Sequence, residues 1–172
     1  MVCTKHQKMT SIVKGAVFAS EKNSNKNEYR YQLWRIWDEE KPIVMFIGLN
    51  PSDGDCKADD KTIGRLMNFS TKWGFGGFYV GNLFGFVTPD PKELKQSKNP
   101  IGSANDKHLK EMSGKCDKIV CIWGNDGILL GRNKEVMNMF PNLYCLEKSK
   151  ENHPKHPLYL RADLTLIEYK IT

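Results

Sequence analysis

Nowhere in the 172 residues is there an apolar run longer than a strand needs, whereas a helix crossing a bilayer takes about 20 consecutive apolar residues. A membrane-spanning helix is excluded, and no membrane partner is expected. The first twenty residues scatter lysines and hold no apolar core, so no secretory leader is expected and the site of action is taken to be the cytoplasm. Cysteines number five, an odd count with no CxxC pair. That pattern favours reduced, buried thiols over a zinc or disulfide framework, with only Cys56 in a probable loop. Histidines are four, and His6 and His108 have no metal-ligand spacing to anything. Internal repeats and low-complexity segments are lacking too. The 26 basic against 20 acidic residues leave +6, compatible with an anionic partner, but no dense basic run marks a nucleic-acid stripe.

What is present is the grammar of an α/β domain. The first dozen residues are polar and without period, so residues 1–12 are expected to form a poorly ordered tail and 13–172 a single α/β domain. "KGAVFAS" and the alternating "EYRYQLWRIWDEE" flank "EKNSNKN", a cluster of turn formers, and predict an N-terminal antiparallel hairpin. From Lys41 onward, short apolar runs at Ile43 to Leu49, Gly77 to Phe84, Lys118 to Gly124 and Leu143 to Glu147 have the length of buried parallel strands. Between them, one helical face carries Ile63, Leu66, Met67 and Trp73 behind an N-cap at Asp59 or Asp60, a second Leu109, Met112 and Cys116, a third Val136, Met137 and Phe140. Strand and helix alternate, predicting a layered fold on a short, mainly parallel central sheet. The proline-bearing stretch from Phe84 to Asp106 reads as a long surface excursion.

Chemistry-bearing residues gather where this topology ends its strands, the place where open α/β sheets hold ligands. Gly48, Asn50, Pro51, Ser52, Asp53 and Asp55 follow the first core strand; Asn82, Phe84 and Phe86 end the second. Asn125 and Asp126 follow the third, and His153, His156 and Tyr159 the fourth. Most asparagines and aspartates at such places are turn formers. Asn82 is embedded in an apolar strand, where a turn former has no local task and a buried amide needs partners. The acidic run "DGDCKADD" lacks the calcium-loop spacing, so no metal and no cofactor are expected.

The motifs "GLNPSDGD", "DDKTIGR", "WGFGGFYVGNLFGFVTPDP", "NPIGSAND", "WGNDG" and "HPLYL", over Tyr29 to Leu160, resemble a domain-of-unknown-function family of small bacterial and phage proteins. That family in turn resembles the uracil-DNA glycosylase superfamily, which implies a three-layer α/β/α fold. "GLNP" is similar to the turn that follows the superfamily's first core strand, and "HPLYL" to its final His-Pro turn. The resemblance implies a pocket for a nucleobase or nucleotide, free or within DNA, and hydrolysis of an N-glycosidic bond. It implies Asn50 orienting a water, His156 facing the departing base, Asn82 reading the base edge and Phe84 stacking on it. An amide orients water but cannot take its proton, so slow chemistry is expected. The alternative is a binding module of the same fold that holds a nucleotide, a modified base or nucleic acid without cleaving it. A third idea is a metal-assisted phosphohydrolase built on Asp53, Asp55, Asp59 and Asp60.

Overall fold

In a computed structural model, which describes residues 12–19, 28–52 and 60–170, the expected core strands form at the expected places. They are β3 (Ile43–Gly48), β4 (Gly77–Asn82), β5 (Lys118–Cys121) and β6 (Leu143–Cys145). All four run parallel, side by side in the order β4-β3-β5-β6. The N-terminal hairpin also forms, from β1 (Val13–Ala19) and β2 (Tyr29–Ile36). Within the expected tail, residue 12 is exposed, and residues 1–11 lie outside those described.

The sheet as a whole is mixed rather than mainly parallel. β2 pairs antiparallel with the free edge of β4, from Leu33 opposite Val80 to Ile36 opposite Gly77, so the hairpin completes the sheet instead of standing apart from it. Arg30 and Gln32, opposite Tyr29, Tyr31 and Leu33, give β2 the alternation of a half-exposed strand, yet both are buried, as is Arg35 on the other face. At the other edge a short β7 (Ile167–Glu168) pairs antiparallel with β6, giving seven strands. Its two residues are both exposed, so it carries none of the apolar alternation that marks a half-buried strand.

Four helices complete the described chain. In α1 (Lys61–Lys72), Asp60 accepts from the Ile63 N–H at 2.8 Å, as an N-cap should. Its buried face is Ile63, Leu66 and Phe69, with Met67 and Trp73 partly buried beside them. α3 (Asn105–Ser113) buries Leu109 and Met112, and α4 (Arg132–Met139) buries Val136. The stretch expected to be a plain surface excursion holds a further short helix, α2 (Pro91–Gln96). Asp90 caps it, Pro91 opens it and Leu94 anchors it in the core at 3 % exposure, so the prolines organise this segment instead of loosening it.

Strand alternation divides the core. Val44, Phe46, Phe78 and Val80 join Ile63, Leu66 and Phe69 of α1 in one cluster. Met45, Ile47 and Tyr79 join Leu109, Met112 and Val136 in another. α3 approaches the sheet at Gly81, where a Cβ would come within 2.6 Å of the Leu109 side chain.

Candidate functional site

The same alternation that buries Phe78 and Val80 against α1 brings Asn82 to that face, one step beyond the last apolar pair. Its neighbour in register on β3 is Gly48. A Cβ on Gly48 would lie 2.7 Å from the Asn82 Oδ1, so glycine is what leaves room for the amide. Asn82 is only 6 % exposed, and among the described residues its side chain has no hydrogen-bond partner. It lines a cleft of about 280 Å³ at the carboxyl edge of the sheet, close to the lower size range of small-molecule sites.

Asn50 forms part of the same wall, and its amide is half committed. Nδ2 donates to the carbonyls of Pro51, Phe86 and Thr88 at 3.0, 3.2 and 2.9 Å, tying the turn after β3 to the chain leaving β4. Three acceptors around one end fix the orientation of the amide. What Asn50 has left is Oδ1, an acceptor.

His156 stands at the cleft's rim, where it caps a 3-10 turn at Pro157–Tyr159. Its Nδ1 accepts from the Leu158 N–H at 3.2 Å, which assigns the ring proton to Nε2 in the neutral form. Loss of solvent lowers its pKa from the ordinary imidazole value, with Asp60 pulling the other way. Although the side chain is exposed at the mouth, the walls beside it remove enough water to favour the neutral ring. The site thereby offers a neutral N–H donor.

Ser52 also lines the cleft, while Asp53 lies outside the described residues, as do Asp55 and Asp59 of the acidic run. Pro51 is buried and does not line the cleft; its carbonyl accepts from Asn50 and from the Thr88 N–H at 2.9 Å. Phe84 is fully buried in the cluster on the opposite face, because β4 and its alternation end at Asn82, and it does not line the cleft. Phe86 packs edge-on against Tyr29. Asn125 is exposed and donates to Glu151 at 3.4 Å, and Tyr159 is 91 % exposed; neither lines the cleft.

Two polar lining residues, Arg30 and Thr62, were not anticipated, and Asp60 was expected only as an N-cap or in the metal-assisted alternative. Arg30 is 9 % exposed on β2, its pKa lowered by burial while Asp60 raises it and Arg35 lowers it. The signal available was a charged residue inside an alternating strand, visible only once β2 is known to be interior. Asp60 was foreseen as a cap, and capping is what brings its carboxylate to the cleft.

Among the described residues no three His, Cys, Asp or Glu side chains gather as a metal site. Cys116, Cys121 and Cys145 are free thiols. Burial pushes Cys116 up to about 12 and Cys145 to about 11, and Cys121 upward as well, so none is a ready nucleophile.

Fold and site together define an α/β protein with a polar, partly apolar-walled cleft at the carboxyl ends of its parallel strands. A family profile described as a protein of unknown function (DUF1643) matches residues 30–158, about three quarters of the chain, and the chain belongs to that family. No curated protein and no solved structure matches it.

Proposed function

We propose that the cleft holds a nucleobase, free or within a nucleotide or DNA, in a uracil-DNA glycosylase-like arrangement with sheet and helices in three layers. The observation that carries this reading is the unpartnered amide of Asn82, buried at the end of an apolar strand with Gly48 kept bare beside it. An amide offers a donor and an acceptor side by side, which matches the edge of a pyrimidine base. Apolar wall residues such as Leu33, Ile63 and Val80 suit the faces of a flat ring. The two apolar clusters on either side of the sheet support the layered part of the assignment.

The chemistry this supports is hydrolysis of an N-glycosidic bond. Negative charge develops on the departing base, and a neutral His156 Nε2–H is a suitable donor for it. The free Oδ1 of Asn50 accepts a hydrogen bond from a water and so orients it. An amide cannot take that water's proton, so turnover is slow.

A second reading, a module that holds the base without cleaving it, draws on one observation. The Asn50 amino group is spent on three main-chain carbonyls, which is a scaffold's use of that residue.

Single- and double-stranded oligonucleotides and nucleotides containing uracil, mismatched thymine or hypermodified pyrimidines test both readings, with free base measured by mass spectrometry. Base released by wild type and lost in Asn50→Ala or His156→Ala establishes the hydrolase. A ligand-induced rise in melting temperature without release, abolished in Asn82→Ala, establishes the module. If neither occurs, the cleft is not a nucleobase site.

A further inference from the structure

His156 reaches the cleft on a loop held from two directions. On the sheet side, the Gly124 N–H donates to the Pro154 carbonyl at 2.8 Å and the Lys155 N–H to the Glu147 carbonyl at 2.9 Å. These are main-chain bonds that no side-chain substitution removes. On the helix side, the anchor is one side chain. Arg65 of α1 donates through Nε to the Pro157 carbonyl at 3.3 Å and through Nη2 to the Leu160 carbonyl. It thus grips both ends of the 3-10 turn that His156 caps. The guanidinium lies over the Phe69 ring, 5.1 Å from its centroid, which keeps the planar fork from swinging away.

The same helix holds the chain further along. Lys72 donates to the Ala162 carbonyl and Trp73 Nε1 to the Leu164 carbonyl, each at 3.0 Å. Residues 65, 72 and 73 share one helical face. The segment after His156 therefore lies along α1 as a strap whose carbonyls the helix captures. Of these three side chains, Arg65 alone touches the turn carrying His156.

We propose that Arg65 is a positioning residue for His156: by holding the Pro157 and Leu160 carbonyls it fixes the ring at the cleft rim and keeps the Leu158 N–H on Nδ1, so that Nε2 bears the proton. The inference rests on His156 being the donor that faces a ligand. Its test needs no ligand, so the two fail separately.

The measurement is ¹⁵N and ¹H NMR titration of the histidine rings in wild type, Arg65→Met, Arg65→Lys and Lys72→Met. His108 serves as an internal control on a different helix. Charged groups around His156 are Asp60, which favours its protonated form, and the cations Arg30 and Arg65. In wild type, the expected signature is a single Nε2–H tautomer. Arg65→Met is expected to give averaged tautomers and an upward shift of the His156 pKa toward the ordinary value, with His108 unmoved. Arg65→Lys keeps the charge but not the fork, and is expected to release the turn as well.

Wild-type His156 signals in Arg65→Met overturn the inference. Equal changes in His108 overturn it too, because they report general loosening. A wild-type pattern in Arg65→Lys shows that charge acts and not the fork, and an equal effect from Lys72→Met shows that the strap acts as a whole. Should Arg65→Met not fold, the Lys variant alone decides. If the expected pattern appears and no base-containing ligand binds, the positioning role stands and the ligand reading falls.

Discussion

Gly48 and Asn82 are one feature divided between two strands. The amide stays upright in the cleft because the position beside it carries no side chain, and because the strand beneath it is clamped from the other face. There Asn105 donates to the carbonyls of Asn82 and Leu83 at 2.9 and 3.1 Å, and Arg132 Nε donates to Leu83 at 2.9 Å. Arg132 is in turn held by Asp106 and Glu135. Gly48→Ala is expected to push the Asn82 amide aside, at an overpacking cost of about 1–3 kcal/mol. Urea titration measures that cost, and Asn82 side-chain amide resonances report the displacement; unmoved resonances would show that Gly48 is not a spacer. Arg132→Ala strips a charged donor from a buried carbonyl and is expected to cost about 2–3 kcal/mol. Arg132→Met keeps most of the volume and should cost less, so equal losses in the two variants would show that the donor matters and the packing does not.

At the scale of elements, α1 both builds the core and furnishes the cleft. Asp60 caps its first turn and at the same time faces His156 and Arg30. Asp60→Asn keeps a capping acceptor and should leave stability nearly unchanged, whereas Asp60→Ala should cost about 1 kcal/mol. Both remove the carboxylate that favours the imidazolium, so both are expected to move the His156 pKa further down; an upward shift in Asp60→Asn would show that the Asp60 charge does not favour the imidazolium. The four parallel strands and three of the helices were legible because apolar runs and helical periods are local signals. The joining of β2 to β4 was not, since its buried Arg30 and Gln32 imitate an exposed face. Within the site, Asn82 announced itself as a polar residue in an apolar strand. Phe84 misled because alternation stops where the strand stops, and Arg30 was hidden because its burial depends on a strand pairing between residues 41 to 47 apart in sequence, from Ile36 with Gly77 to Leu33 with Val80.

The stability of the whole molecule should carry the mark of two neutral imidazoles. Burial lowers the pKa of both His108 and His156 from 6.5, opposed by Glu111 in the first and Asp60 in the second, while Lys107 lowers His108 further. His108 is packed with its ring 4.9 Å from that of Tyr31 and its Nδ1 2.7 Å from Gln32 Nε2, an acceptor role that protonation would abolish. As pH falls through 6.5 the unfolded chain takes up protons that the folded chain still refuses. The unfolded state then binds more protons, so stability must fall with pH in that window, and the loss levels off only below the folded-state values. Urea midpoints between pH 7.5 and 5 are therefore expected to decrease. The double variant His108→Gln, His156→Asn keeps an acceptor at each position without a titrating ring, and is expected to flatten the slope above the range where carboxylates begin to protonate. A slope in the double variant equal to that of wild type would mean that these two imidazoles are not what makes the fold sensitive to mild acid.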